Sequence, residues 1–178
     1  MKKILGEERR ALLLDILKSS AEPITGGELA AQTNVSRQVI VGDITLLKAR
    51  NEPIIATSQG YLYMNTGSPA ALAERTIACS HSPEATEEEL NILVDQGVTV
   101  KDVRIEHPVY GDLTASIMVS NRREVKQFME KIKRTNAGYL SELTEGIHIH
   151  TIAAQSERAL DEAEAAMKKA GYLIDLSD

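Results

Sequence analysis

The residues best equipped for chemistry are His148 and His150, in the run Gly146-Ile147-His148-Ile149-His150-Thr151. The run alternates and contains β-branched residues, so it is expected to be a strand, in which positions i and i+2 face the same side. Two imidazoles would then stand side by side, and neutral imidazole is a common ligand for zinc, nickel, copper and iron. His81 could add a third nitrogen and Glu89 an oxygen, since the eight-residue step between them lets a strand end and a helix start converge. Three histidines and one glutamate suit Zn, Ni, Fe or Mn better than Cu(I) or Ca.

Each residue also has a plainer role open to it. Glu89 lies three residues after Thr86, the spacing of a capping box. His81 could satisfy a loop carbonyl, and His148 and His150 could form a solvent-facing stripe. Cys79 lies two residues before His81 and could face the site, but free cysteine is usually a small buried hydrophobe, so it is placed in the core. In His107-Pro108-Val109-Tyr110-Gly111, His107 and Tyr110 either line an effector pocket beside the metal or shape the end of a hairpin.

The elements that must position these residues fall into two regions. Residues 1–65 carry 8 Lys+Arg against 7 Asp+Glu, and residues 66–178 carry 12 against 19, so a near-neutral first region precedes an acidic second one. A net charge of −6 argues against non-specific coating of nucleic acid, yet leaves room for a local DNA-reading patch. No apolar run reaches the roughly 18 residues of a membrane span. The first residues turn acidic too soon for a secretory signal, and a single cysteine excludes an internal disulfide. A cytoplasmic protein is expected.

In the first region, Leu12, Leu13, Ile16 and Leu17 mark a helix over Glu8 to Ser19, a break follows at 21–26, and a short helix runs from Gly27 to Thr33. Ser36 is a good N-cap for a helix to about Arg50, with Ile40, Ile44 and Leu47 buried. Two helices joined by a short turn outline a helix-turn-helix. The exposed side of its second helix would hold Arg37, Gln38, Val41, Thr45 and Lys48 behind the Ser36 cap. Arg and Gln pair bidentately with guanine and adenine, and the methyls of Val41 and Thr45 suit thymine. Residues 53–57 and 61–63, around Ser58-Gln59-Gly60, read as the hairpin wing of a winged helix.

Asn65-Thr66-Gly67-Ser68-Pro69 is linker chemistry, so the domains are placed at 1–65 and 70–178. Beyond it, strands are expected at 75–79, 98–109, 113–119, 147–153 and 172–176. Helices are expected after Thr86, Asn121 and Ser156. The fold class is α+β, with helices packed on a mostly antiparallel sheet in the second domain.

Val35-Ser36-Arg37-Gln38-Val39-Ile40-Val41, with Asp43-Ile44, Leu47 and Gly60-Tyr61, resembles the winged helix of bacterial repressors related to the biotin-operon regulator. Gly42 departs from that pattern, standing where relatives often carry a polar or basic residue. Arg75-Thr76-Ile77, His81, Glu89, the stretch from His107 to Leu113 and the stretch from Leu143 to Thr151 resemble the signature segments of the three-histidine domain. Together the two domains resemble the niacin-responsive repressors of Gram-positive bacteria. The resemblance implies a C-terminal α/β sandwich that holds nickel or zinc at His81, Glu89, His148 and His150. It further implies sensing of nicotinic acid and repression of genes of NAD synthesis or niacin uptake. A homodimer on a palindromic operator is expected, with nicotinic acid as co-repressor. A metal-dependent hydrolase fused to a small binding domain is the alternative, and a purely structural metal staple a third reading; no nucleophile motif or phosphate loop supports the hydrolase.

Overall fold

Two polar caps, in the three residues between the end of one helix and the start of the next, set up the first unit. In the computed structural model, which describes residues 4–65 and 72–175, the chain divides into compact units Met1–Pro69 and Ala70–Asp178. Most of the expected linker, from Thr66 to Pro69, lies outside the described residues.

The first unit runs α1 (Gly6–Ser19), α2 (Gly26–Thr33), α3 (Arg37–Ala49), β1 (Ile54–Thr57) and β2 (Gly60–Tyr63). Thr25 starts α2 with a capping box, its Oγ1 accepting from the Glu28 N–H while Glu28 accepts from the Thr25 N–H. Asn34, left-handed at φ 52°, ends α2, and the Ser36 hydroxyl accepts from the Val39 N–H to start α3. Leu13, Leu17, Leu29, Ile40, Ile44, Leu47 and Ile54 fill the core between them. Beside that core, Arg9 bonds Asp43 through Nε (2.5 Å) and Nη2 (3.2 Å), and Arg10 adds a third contact, tying α1 to α3. The wing is anchored by paired backbone bonds between Ile24 and Tyr61. Gly60 permits this approach: at φ 138°, a Cβ there would lie 2.5 Å from the Ile24 carbonyl oxygen.

The second unit runs β3 (Ala73–Ser80), α4 (Thr86–Asp95), β4 (Thr99–His107), β5 (Gly111–Ala115), α5 (Arg122–Thr135), β6 (Ile147–Ala154) and α6 (Glu157–Ala170). Single 3-10 turns at Pro83–Ala85 and Leu140–Thr144 precede α4 and β6. The strand order is β3-β6-β4-β5, and every pairing is antiparallel. Asn121 and Ser156 cap α5 and α6 as expected, each accepting from the N–H three residues on. One core, including Ile77, Cys79, Val100, Ile152, Leu93, Val125 and Leu160, lies between the sheet and the three helices, making an α+β sandwich.

Two strand expectations need correction. The strand expected to run to Val119 stops at Ala115, because Met118 is left-handed at φ 51°; Val119 returns only as an isolated bridge to Val100. The expected terminal strand is a single bridge, Leu173 to Cys79, and residue 176 lies outside the described residues.

Candidate metal centre and nucleic-acid interface

The expected strand forms, and its period of two brings His148 and His150 to the core face with ring centroids 4.8 Å apart. The two residues are 3% and 2% exposed, which removes the solvent-stripe alternative. Glu89, at 1%, reaches them from α4. Its Oε1 lies 2.9 Å from His148 Nε2 and 3.2 Å from His150 Nε2, and its Oε2 lies 2.6 Å from His81 Nε2. The His81 contact is near enough for an ion pair but is not aligned as a hydrogen bond, which leaves that buried nitrogen without a hydrogen-bond partner among the described residues. Four residues from β3's end, α4 and β6 thus converge on one point.

The capping-box role of Glu89 is absent. The 3-10 turn moves the cap of α4 back to Ala85, which makes no side-chain bond, and Thr86 becomes the first helical residue. Glu89 is therefore free to face the sheet.

The second nitrogen of each ring fixes its tautomer. Nδ1 of His81, His148 and His150 lies 2.8, 2.8 and 2.7 Å from the carbonyl oxygens of Ser82, Gly146 and Asp102. A carbonyl oxygen only accepts, so each Nδ1 carries the hydrogen and each neutral ring turns a bare Nε2 lone pair toward a carboxylate. Four acceptors facing one another repel unless positive charge sits among them, as protons or as a cation. The same need shows in the ionisation. Burial alone would raise the Glu89 carboxyl, but positive charge on His150, with the His148 and His81 rings beside it, outweighs burial and holds Glu89 well below the usual range. Burial works against charging His81 and His150, yet Glu89 raises both above the ordinary imidazole value. Three imidazolium ions around one carboxylate would bury a net charge of about +2, whereas a divalent ion on neutral rings leaves about +1 with every lone pair engaged. The donor set fits a divalent transition metal.

Local backbone devices hold the rings. A bulge in β4 between Val100 and Asp102 frees the Asp102 carbonyl for His150, while Asp102 Oδ1 takes the Thr151 N–H at 2.9 Å. Gly146, at φ 94°, lets the His81 backbone press against the start of β6; a Cβ there would lie 2.3 Å from the His81 carbonyl oxygen.

Cys79 is fully buried in the core, as expected, and also stands directly across from His148. Its Sγ and one ligand atom each from Glu89, His148 and His150 all lie within 4.8 Å of one another. Burial, then the charge of Glu89, pushes the thiol well above its ordinary range, so it keeps its proton. Cys79 stands two residues before His81, which lies just past the end of β3, and that i, i+2 spacing was the signal available for the proximity.

A cavity of about 420 Å³ opens beside the cluster, a size typical of small-molecule sites. Besides His81, Glu89, His148 and His150, its walls include Leu90, Val103, Ile117, Phe128, Ile132, Tyr139 and Leu143. His107 and Tyr110 are not among the lining residues. They form the β4–β5 turn, where His107 Nδ1 accepts the N–H groups of Val109 and Tyr110, and Tyr110 is 74% exposed. Of the two roles weighed for them, they occupy the hairpin end. Thr86, Phe128 and Ile132 were not expected at the cavity, since spacing shows a helix face but not what it covers.

On α3, Ser36, Arg37, Gln38, Thr45 and Lys48 are exposed, and Val41 is half-buried. Thr45 turns its hydroxyl back onto the Val41 carbonyl at 2.7 Å, which spends its polar group within the helix. A Cβ at Gly42 would meet nothing within 4 Å among the described residues.

The 3H domain model matches residues 74–176 and an HTH domain model matches residues 9–62. The chain belongs to the 3H-domain transcription repressors. It is 61% identical to the Transcription repressor NadR of Bacillus subtilis (strain 168) over 173 residues, covering 97% of this chain and 96% of that protein. It is 38% identical to the Probable transcription repressor NiaR of Thermotoga maritima over 173 residues, covering 97% of each. These relatives are named as repressors, so this 3H-domain protein is a DNA-binding regulator and the hydrolase alternative falls. Among the described residues no helix is long and apolar enough to cross a membrane.

Proposed function

We propose that this repressor is metal-dependent and takes nicotinic acid as co-repressor, controlling genes of NAD synthesis or niacin uptake from the cytoplasm. His81, Glu89, His148 and His150 would hold the ion, nickel or zinc. The observation that carries this reading is the meeting of three Nε2 lone pairs and one carboxylate, each ring locked by a carbonyl behind it. When bound, such an ion supplies positive charge and an open coordination position that suits a carboxylate or a pyridine nitrogen. The chain's own part is to hold the rings, exclude water with the apolar cavity wall, and shape the space for a small planar acid.

In this reading Ser36, Arg37, Gln38, Val41, Thr45 and Lys48 form the DNA-reading surface. A homodimer presents two such helices about 34 Å apart to a palindromic operator. Phosphate contacts make the affinity fall with salt.

The test is fluorescence anisotropy on operator DNA with zinc or nickel and nicotinate added separately and together. Nicotinate should tighten binding only in the metal-loaded protein, and His148→Ala should behave like the chelated protein. If chelation lowers the melting temperature but leaves nicotinate affinity intact, the ion is a structural staple and the sensing role fails.

A further inference from the structure

Thr86, the first residue of α4, is buried, and its Oγ1 has no hydrogen-bond partner among the described residues. It lines the same cavity as Glu89, one turn further along the same helix. Residues three apart on a helix stand roughly 5–6 Å apart at Cβ. The hydroxyl and the histidine–glutamate cluster are therefore two polar points, about one aromatic ring apart, in a mostly apolar enclosure. Buried hydroxyls in folded proteins are nearly always paired, so an unpaired one at a cavity wall marks a place for a ligand atom.

Charge narrows what that ligand is. Among the described residues no Lys or Arg lines the cavity. Its other carboxylate, Glu142, already accepts the Tyr139 N–H at 2.6 Å and would repel an anion. With the ion of the proposed function held by the cluster, a ligand carboxylate finds its positively charged partner at that end. Phe128 and Ile132 offer apolar contacts for a flat ring, and an acceptor in that ring has the Thr86 O–H to receive.

We propose that the cavity binds a monocyclic aromatic acid with its carboxylate toward the cluster and a ring acceptor on the Thr86 hydroxyl. Thr86 then selects pyridine carboxylates over carbocyclic ones. This rests on the reading of the protein as a nicotinate sensor and adds the orientation and the residue that reads the ring nitrogen.

The test is isothermal titration of the zinc-loaded full chain with nicotinate and with benzoate, which keeps the carboxylate and ring but lacks the nitrogen. One hydrogen bond to a buried hydroxyl corresponds to a preference of about tenfold. The wild type should prefer nicotinate by that factor. Thr86→Val should weaken nicotinate about tenfold and leave benzoate unchanged, without lowering the melting temperature. Thr86→Ser should keep the preference. Equal binding of the two acids by the wild type, or a preference that survives in Thr86→Val, overturns this inference and leaves nicotinate sensing standing. A wild type that binds neither acid overturns both.

Discussion

At the scale of single residues, hydrogen-bond direction decides more than proximity. Each ring of the cluster has committed its only hydrogen to a backbone carbonyl, so Glu89 faces lone pairs. Glu89→Gln converts this conflict into a match, because an amide nitrogen donates two hydrogens and lies where Oε1 now sits near His148 and His150. The metal-free variant is expected to be at least as stable as the metal-free wild type at about pH 9, where imidazoles are neutral. It should also gain no melting temperature from zinc, whereas the wild type should gain several degrees. Uptake of one ion per chain by Glu89→Gln would remove the argument. The His148–His150 pair was legible because a two-residue period needs no tertiary information. Glu89 was ambiguous because i to i+3 spacing serves both a capping box and a shared helix face; the turn through Pro83–Ala85 decided between them. Thr86 was hidden behind the same ambiguity.

At the scale of elements, what could be read was what short polar residues enforce locally. Ser36, Asn121 and Ser156 announce helix starts because each can close its own cap. The end of β5 was illegible, since nothing in Ile117-Met118-Val119 signals the left-handed turn at Met118. Equally invisible was the bulge at Asp102, although it orients His150. Long-range ion pairs were also unreadable, and one of them leads to a prediction about acid stability in the first unit. Glu7 on α1 accepts from Arg10 on its own helix and from Arg50 just past α3. The hydrogen bonds from Arg50 and Arg10 lower its carboxyl from 4.5 to about 2. A carboxyl depressed in the folded state binds fewer protons there than in the unfolded chain, so its contribution is present above pH 4.5 and is lost as pH falls toward 2. Chemical denaturation of the full chain across that window should show stability declining less steeply for Glu7→Gln than for the wild type. Because Glu7 is exposed, added salt should shrink the difference. Identical slopes for the two proteins would show that the pairs contribute nothing.

At the scale of the whole chain, the division of charge matches a division of labour. The near-neutral first unit can approach phosphates, while the second, with 12 Lys+Arg against 19 Asp+Glu, carries the acidic excess. Coupling between the two can be measured without knowing its path, because binding free energies are reciprocal. If nicotinate tightens DNA binding by some factor, DNA must tighten nicotinate binding by the same factor, typically about 5- to 150-fold for allosteric proteins. A duplex selected from a random library with the nicotinate- and zinc-loaded protein provides the probe. Anisotropy then gives DNA affinity with and without nicotinate, and calorimetry gives nicotinate affinity with and without saturating duplex, all at one salt concentration, since phosphate contacts make DNA affinity salt-dependent. The two ratios should agree, and both should collapse to one after chelation or in His148→Ala. A DNA ratio above one with a nicotinate ratio of one would violate linkage and reveal a different species in one assay, such as a change in oligomeric state. Both ratios equal to one in the metal-loaded wild type would mean that nicotinate, even if bound, has no preference for the DNA-competent form, and the co-repressor reading would fall.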